Sequence, residues 1–157
     1  MQKQILKIQN VTTPTISKTN IIHEFCVDED FSKLTINFSY SPKVMADKNK
    51  SIELITQAMK IYAPSPHENA YGKAEDYLPI VNLLTVSLDS PTEYIGCAHR
   101  HANSQQHVIS KDNSSLGFKK TEICKGKWRV VVNLHCVITE SCEYNLEVLG
   151  EIGGENI

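Results

Sequence analysis

The stretch WRVVVNLHCVI, residues 128–138, decides the fold class. Trp128, Val130, Val132, Leu134, Cys136 and Ile138 recur at every second position, so a strand puts all six on one apolar face. Arg129, Asn133 and His135 fall on the other face with Val131 and Val137. The same period appears upstream. Ile21, Phe25 and Val27 share a face with His23; Leu34, Ile36, Phe38 and Tyr40 share another, backed by Thr35, Asn37 and Ser39. The short acidic DEDFSK between these two runs predicts a hairpin, and Ser41-Pro42 ends its second strand.

Further strands are expected at Ile80–Leu88, around Tyr94–His101, around His107–Ser110, and through Tyr144, Leu146 and Val148. In the first of these Asn82 interrupts the face of Ile80, Leu84, Val86 and Leu88, and needs hydrogen-bond partners if buried. One segment changes period. DKNKSIELITQAMKIYA places Ile52, Ile55, Met59 and Tyr62 at steps of three and four, which predicts a helix over 48–62, capped by Asp47 or Ser51 and stopped by Pro64 and Pro66. The polar loop 63–79 is long for a compact domain, so it is either functional or misassigned. Residues 150–157 read as a polar tail. Many strands, one helix and no strand–helix alternation predict a mainly-β chain: an antiparallel, jelly-roll-like β-sandwich with one packed helix, a single domain over 1–157.

Composition narrows the function. Of 157 residues 41% are hydrophobic and 22% charged, which argues against disorder and against a membrane protein. A net charge of -2 gives no electrostatic footprint for nucleic acid. MQKQILKIQN lacks a signal-type apolar run, and no stretch approaches the ~18 apolar residues of a spanning helix, so a cytoplasmic location is expected. Cys26, Cys97, Cys124, Cys136 and Cys142 are odd in number and never spaced C-x-x-C, which favours free thiols.

Three segments carry a resemblance: HEFCVDEDFSKLTINFSYSPK (23–43), NLLTVSLDSPTEYIGCAHRHANSQQHVIS (82–110) and GFKKTEICKGKWRVVVNLHCVITESCEYNLEV (117–148). In this order they resemble the β-sandwich domain that precedes the catalytic PHP domain in bacterial metal-dependent esterases of the CehA type. More distantly they resemble the bacterial pre-peptidase C-terminal (PPC) domain. The resemblance spans about 20–150 and implies a sandwich of that type, with a Gly-Lys-Trp entry at 126–128. It implies no catalytic residue. The sequence leaves no room for a PHP domain after the sandwich, so esterase activity is not expected to carry over.

The chemistry concentrates in CAHRHANSQQH, residues 97–107. On a strand His99 and His101 share a face, with Cα atoms about 6.6 Å apart from a rise of ~3.3 Å per residue. Two imidazoles so placed can meet a divalent transition metal at ~2.0–2.1 Å. His135 is the candidate third ligand and Gln105 a weak fourth. The pattern resembles a cupin incompletely: Gly96 stands too close to His99, Gln105 replaces a carboxylate, and no Pro-x-Gly precedes a second histidine. Asp28, Glu29 and Asp30 offer oxygen ligands for calcium, but a solvated turn accounts for them equally. Glu140, Glu143 and Glu147 read the same way. Lys119, Lys120, Lys125, Lys127 and Arg129 read as a solvated rim around Trp128. No nucleophile elbow or phosphate-cradling loop is present in the sequence.

The expectation is therefore a non-catalytic binding or protein-interaction module, accessory to a separately encoded enzyme or self-associating. It needs no cofactor and takes neither nucleic acid nor membrane as partner. The alternative is a small cupin-like metal-dependent enzyme built on His99, His101 and His135.

Overall fold

The computed structural model describes residues 1–64 and 70–153. Eight strands run in chain order: β1 (Gln2–Thr12), β2 (Thr19–Val27), β3 (Phe31–Ser41), β4 (Leu83–Asp89), β5 (Tyr94–Ala98), β6 (Ser104–Ser110), β7 (Gly126–Cys136) and β8 (Cys142–Ile152). One helix, α1 (Lys48–Tyr62), lies between β3 and β4. Asp47 caps it by accepting a hydrogen bond from the Lys50 N–H at 2.9 Å. Among the described residues no helix is long and apolar enough to cross a membrane.

The strands form two four-stranded antiparallel sheets, β1-β8-β3-β6 and β2-β7-β4-β5. β4 pairs with β5, β3 with β6, β2 with β7 and β1 with β8. Each successive pair encloses the last and lies in the other sheet. That nesting is the jelly roll. It also corrects one expectation: β2 and β3 are not a hairpin but lie in opposite sheets, joined by residues 28–30. Alternation fixes which face of a strand is buried and leaves its neighbour open.

The core lies between the sheets. Leu34, Ile36, Phe38 and Tyr40 of β3 and Tyr144, Leu146 and Val148 of β8 meet Trp128, Val130, Val132 and Leu134 of β7 and Leu84, Val86 and Leu88 of β4. Trp128 stacks on its register partner Phe25, ring centroids 6.5 Å apart, and its indole N–H donates to the Cys124 carbonyl at 2.8 Å. The apolar face of β7 is shorter than the sequence predicts. Cys136 and Ile138 are only half-buried, while Val137 points inward. The cause is Asn82, whose Oδ1 accepts from the N–H groups of Ile138 (2.8 Å) and Thr139 (3.3 Å) and turns the chain there. Its Nδ2 donates to the Pro42 carbonyl (2.9 Å) and to Thr139 Oγ1 (2.7 Å), so the buried amide uses its full capacity.

Two further corrections concern the ends. Residues 150–152 are not tail but the last turns of the ladder, pairing with β1 and β3; residues 154–157 lie outside the described residues. Gly150 fits there because a Cβ would sit 2.6 Å from the Phe31 ring. The N-terminal segment, unassigned from its sequence, is the edge strand β1, with a register shift between Gln4 and Leu6. In the loop 63–79 a 3-10 turn spans Ala74–Tyr77, and residues 65–69 lie outside the described residues.

Leu134 is 1% exposed at the centre of this core. Leu134→Ala is expected to cost about 2–5 kcal/mol, the transfer and cavity penalty of a large-to-small core change, read as a lower urea midpoint at unchanged slope.

Candidate functional site

β5 ends at Ala98, where the Arg100 N–H turns back onto the Ala98 carbonyl at 2.9 Å. His99 and His101 therefore sit in the β5–β6 connection, not on a strand as the sequence suggests. The connection is firmly held. Gln105 donates to the carbonyls of Ala102 (2.6 Å) and Arg100 (3.3 Å), and Asn103 exchanges hydrogen bonds with the Tyr40 backbone. Gln105 is thus a buried brace directed into the loop, which corrects its reading as a fourth ligand.

Because β4 lies between β5 and β7, the β5–β6 connection reaches the outer face of β7. His99 and His135 come together there with ring centroids 5.0 Å apart, and His101 stands 6.4 Å from His99. The three imidazoles thus form a row with His99 in the middle. All three are exposed. His135 Nε2 shares a 2.8 Å hydrogen bond with Thr85 Oγ1, and Asn133 Nδ2 lies 3.3 Å from the same oxygen and 4.0 Å from Cys97 Sγ. Desolvation first, and then the neighbouring His99, push the His135 pKa below the usual imidazole value. Among the described residues no group of three or more His, Cys, Asp or Glu side chains is set to hold a metal ion.

Several members of the charged clusters form ion pairs. Glu29 meets Lys3, Asp30 meets Lys125 at 3.1 Å, Lys127 meets Glu24 at 3.2 Å and Lys119 meets Glu93 at 2.9 Å. Exposed pairs of this kind add little stability, but they intersperse opposite charge among Glu29, Asp30, Lys119, Lys125 and Lys127.

Sequence reasoning gave no role to two inward-facing histidines, His23, half-buried, and His107, buried. His23 Nε2 meets the Tyr144 hydroxyl at 2.7 Å, and Asn10 donates to the same oxygen at 3.1 Å. His107 is 1% exposed, pairs with Gln105 Oε1 at 2.9 Å and lies against the Phe118 ring. The signal for both was in the sequence: each alternates in step with apolar inward residues.

No known protein family, curated protein or solved structure matches this chain.

Burial, and secondarily the Arg100 charge, lower the His107 pKa from 6.5 to about 4. The folded state therefore refuses a proton that the unfolded chain accepts below pH 6.5. Its contribution is complete above that pH and is lost as pH falls toward about 4, up to about 3 kcal/mol at 1.36 kcal/mol per unit. The His23 and His135 shifts act in the same direction. Urea unfolding across that window should show a smaller fall in stability for His107→Gln than for the wild type; equal slopes would refute a neutral buried His107.

Proposed function

We propose that the chain is a non-catalytic protein-interaction module that works through α1, and that the occupant of its surface is a second copy of the chain. The observation that carries this reading is an apolar groove of about 400 Å³ between α1 and the segments 79–81 and 136–138, lined by Leu54, Ile55, Ala58, Ile80, Cys136 and Ile138 among others. Only Ser51 and Ile55 of the helix are buried. Contrary to the sequence expectation, Tyr62 does not join them: it is 73% exposed, beside Ile61 at 67%.

Leu54, Ala58 and Tyr62 follow one another at steps of four, along one stripe. A two-fold axis through the small Ala58 would set Tyr62 of each copy against Leu54 of the other, filling both grooves with the same contact. Lys18, 5.5 Å from the Tyr62 ring centroid, steadies that ring beside the groove. The resemblance to an accessory sandwich domain points to the same class of role. Sedimentation of the wild type is expected to show a concentration-dependent dimer, and Ala58→Glu, a tolerated change on an exposed helical position, is expected to leave a monomer. A wild type that stays monomeric at every concentration would overturn the proposal.

One observation favours a second reading, a cupin-like metal enzyme: the row His101, His99, His135. Thermal unfolding in zinc, nickel or manganese separates the two. The interaction reading predicts an unchanged melting temperature. A saturable rise at micromolar metal, lost in both His99→Ala and His135→Ala, would establish a metal site, because binding to the folded state alone stabilises it.

A further inference from the structure

The outer face of the β1-β8-β3-β6 sheet carries two polar rows that cross all four strands. In one, Gln106, Asn37, Glu147 and Lys7 stand opposite one another from β6 to β1. In the other, two residues along, Ser104, Ser39, Asn145 and Gln9 do the same. Together they line a trough of about 630 Å³. Three strand-to-strand steps make it ~14 Å long.

On the opposite sheet the row Glu24, Arg129 and Asp89 is fully charged, and the row Asn20, Asn133 and Thr85 is polar and uncharged. The largely apolar Ile22, Val131 and Ser87 separate them, so no two adjacent polar rows there are neutral. In the trough six of the eight positions are amides or hydroxyls, and the two charges, Lys7 and Glu147, are register partners of opposite sign. Gln9 Nε2 donates to Glu143 Oε1 at 2.8 Å at its rim. Gln106 Nε2 donates to Asn37 Oδ1 at 2.9 Å, and Asn37 Nδ2 donates to Glu147 Oε2 at 3.0 Å. These bonds orient the amides and use only part of their capacity, since each amide offers two donors and a carbonyl with two lone pairs. The short side chains Ser39 and Ser104 keep the floor low.

A strip of paired donors and acceptors without net charge suits a ligand with the same property along its length. Phosphate chains need net positive charge, and apolar peptides need an apolar floor. We infer that this trough binds a neutral oligosaccharide laid across the four strands. Phe38 borders the trough only from beneath, its ring buried in the core, so recognition rests on the polar side chains. This site lies on a different surface from α1 and stands independently of the self-association proposed there.

The test is an amide-resolved NMR titration of the intact chain with neutral tetrasaccharides of glucose, mannose and N-acetylglucosamine. At least one is expected to give saturable shifts at Lys7–Gln9, Asn37–Ser39, Ser104–Gln106 and Asn145–Glu147. Asn37→Ala is expected to weaken that binding about fivefold, one hydrogen bond's worth. Gln106→Ala, at the exposed end of the row, provides the same test if Asn37→Ala fails to fold. No saturable shift with any of the sugars, shifts that map elsewhere, or shifts unaffected by both variants would overturn the inference. So would shifts at these amides on raising protein concentration alone, which would assign the trough to another copy. A dimer formed through the trough would persist in Ala58→Glu, whereas the α1 dimer would not, so the failure of one proposal is distinguishable from the failure of the other.

Discussion

The pairing of β7 with β2 on one side and β4 on the other is the constraint on which the rest depends. β7 presents Trp128, Val130, Val132 and Leu134 to the core, all essentially without solvent contact. Burying that row requires a second sheet of equal length opposite it, and β3 and β8, each of eleven residues, supply it. Once β4–β5 closes as the innermost pair, every outer pair must wrap the one inside it and alternate between sheets. The short β5 is then protected on its free side. Segment 115–119 crosses it so closely that Gly117 O would lie 2.0 Å from a Cβ on Gly96.

With the interior so committed, chemistry is confined to what the sheets turn outward and to what hangs at their ends. One outer face carries the neutral trough, and the other carries the charged row and the three histidines. The β3–β4 excursion holds α1, bound to the sandwich chiefly through Ile55 and Ser51, and leaves apolar area on its flank. The proposed interaction surface is thus the least integrated element of the fold. His107 belongs to the interior instead, with the half-buried His23 at its margin, and burial lowers the pKa of both.

Much of this was legible in the sequence because the local signals were unopposed. The 48–62 helix, a cap at Asp47 or Ser51 (Asp47 in the event), the demand of Asn82 for partners and the β7 face from Trp128 to Leu134 followed from spacing and hydrogen-bond capacity. The failures have separate causes. β1 was invisible because the Gln4–Leu6 irregularity puts Ile5 and Leu6 side by side and breaks the period of two. The β2–β3 hairpin failed because a three-residue connection serves a crossing between sheets as well as a tight turn. The histidines do gather, but through a loop held by Gln105, a long-range contact that no spacing rule contains. The polar trough needed the register of four strands before its rows could be drawn.

The central claim is that successive strands are dealt to alternate sheets, and cross-strand nuclear Overhauser contacts between backbone protons test it most directly. The account predicts contacts linking β2 to β7, as in the pairs His23 with Val130 and Ile21 with Val132, and none between β2 and β3. A continuous ladder of contacts between Thr19–Val27 and Phe31–Ser41 would contradict it, because those strands would then form a hairpin in one sheet and the nested order would be lost.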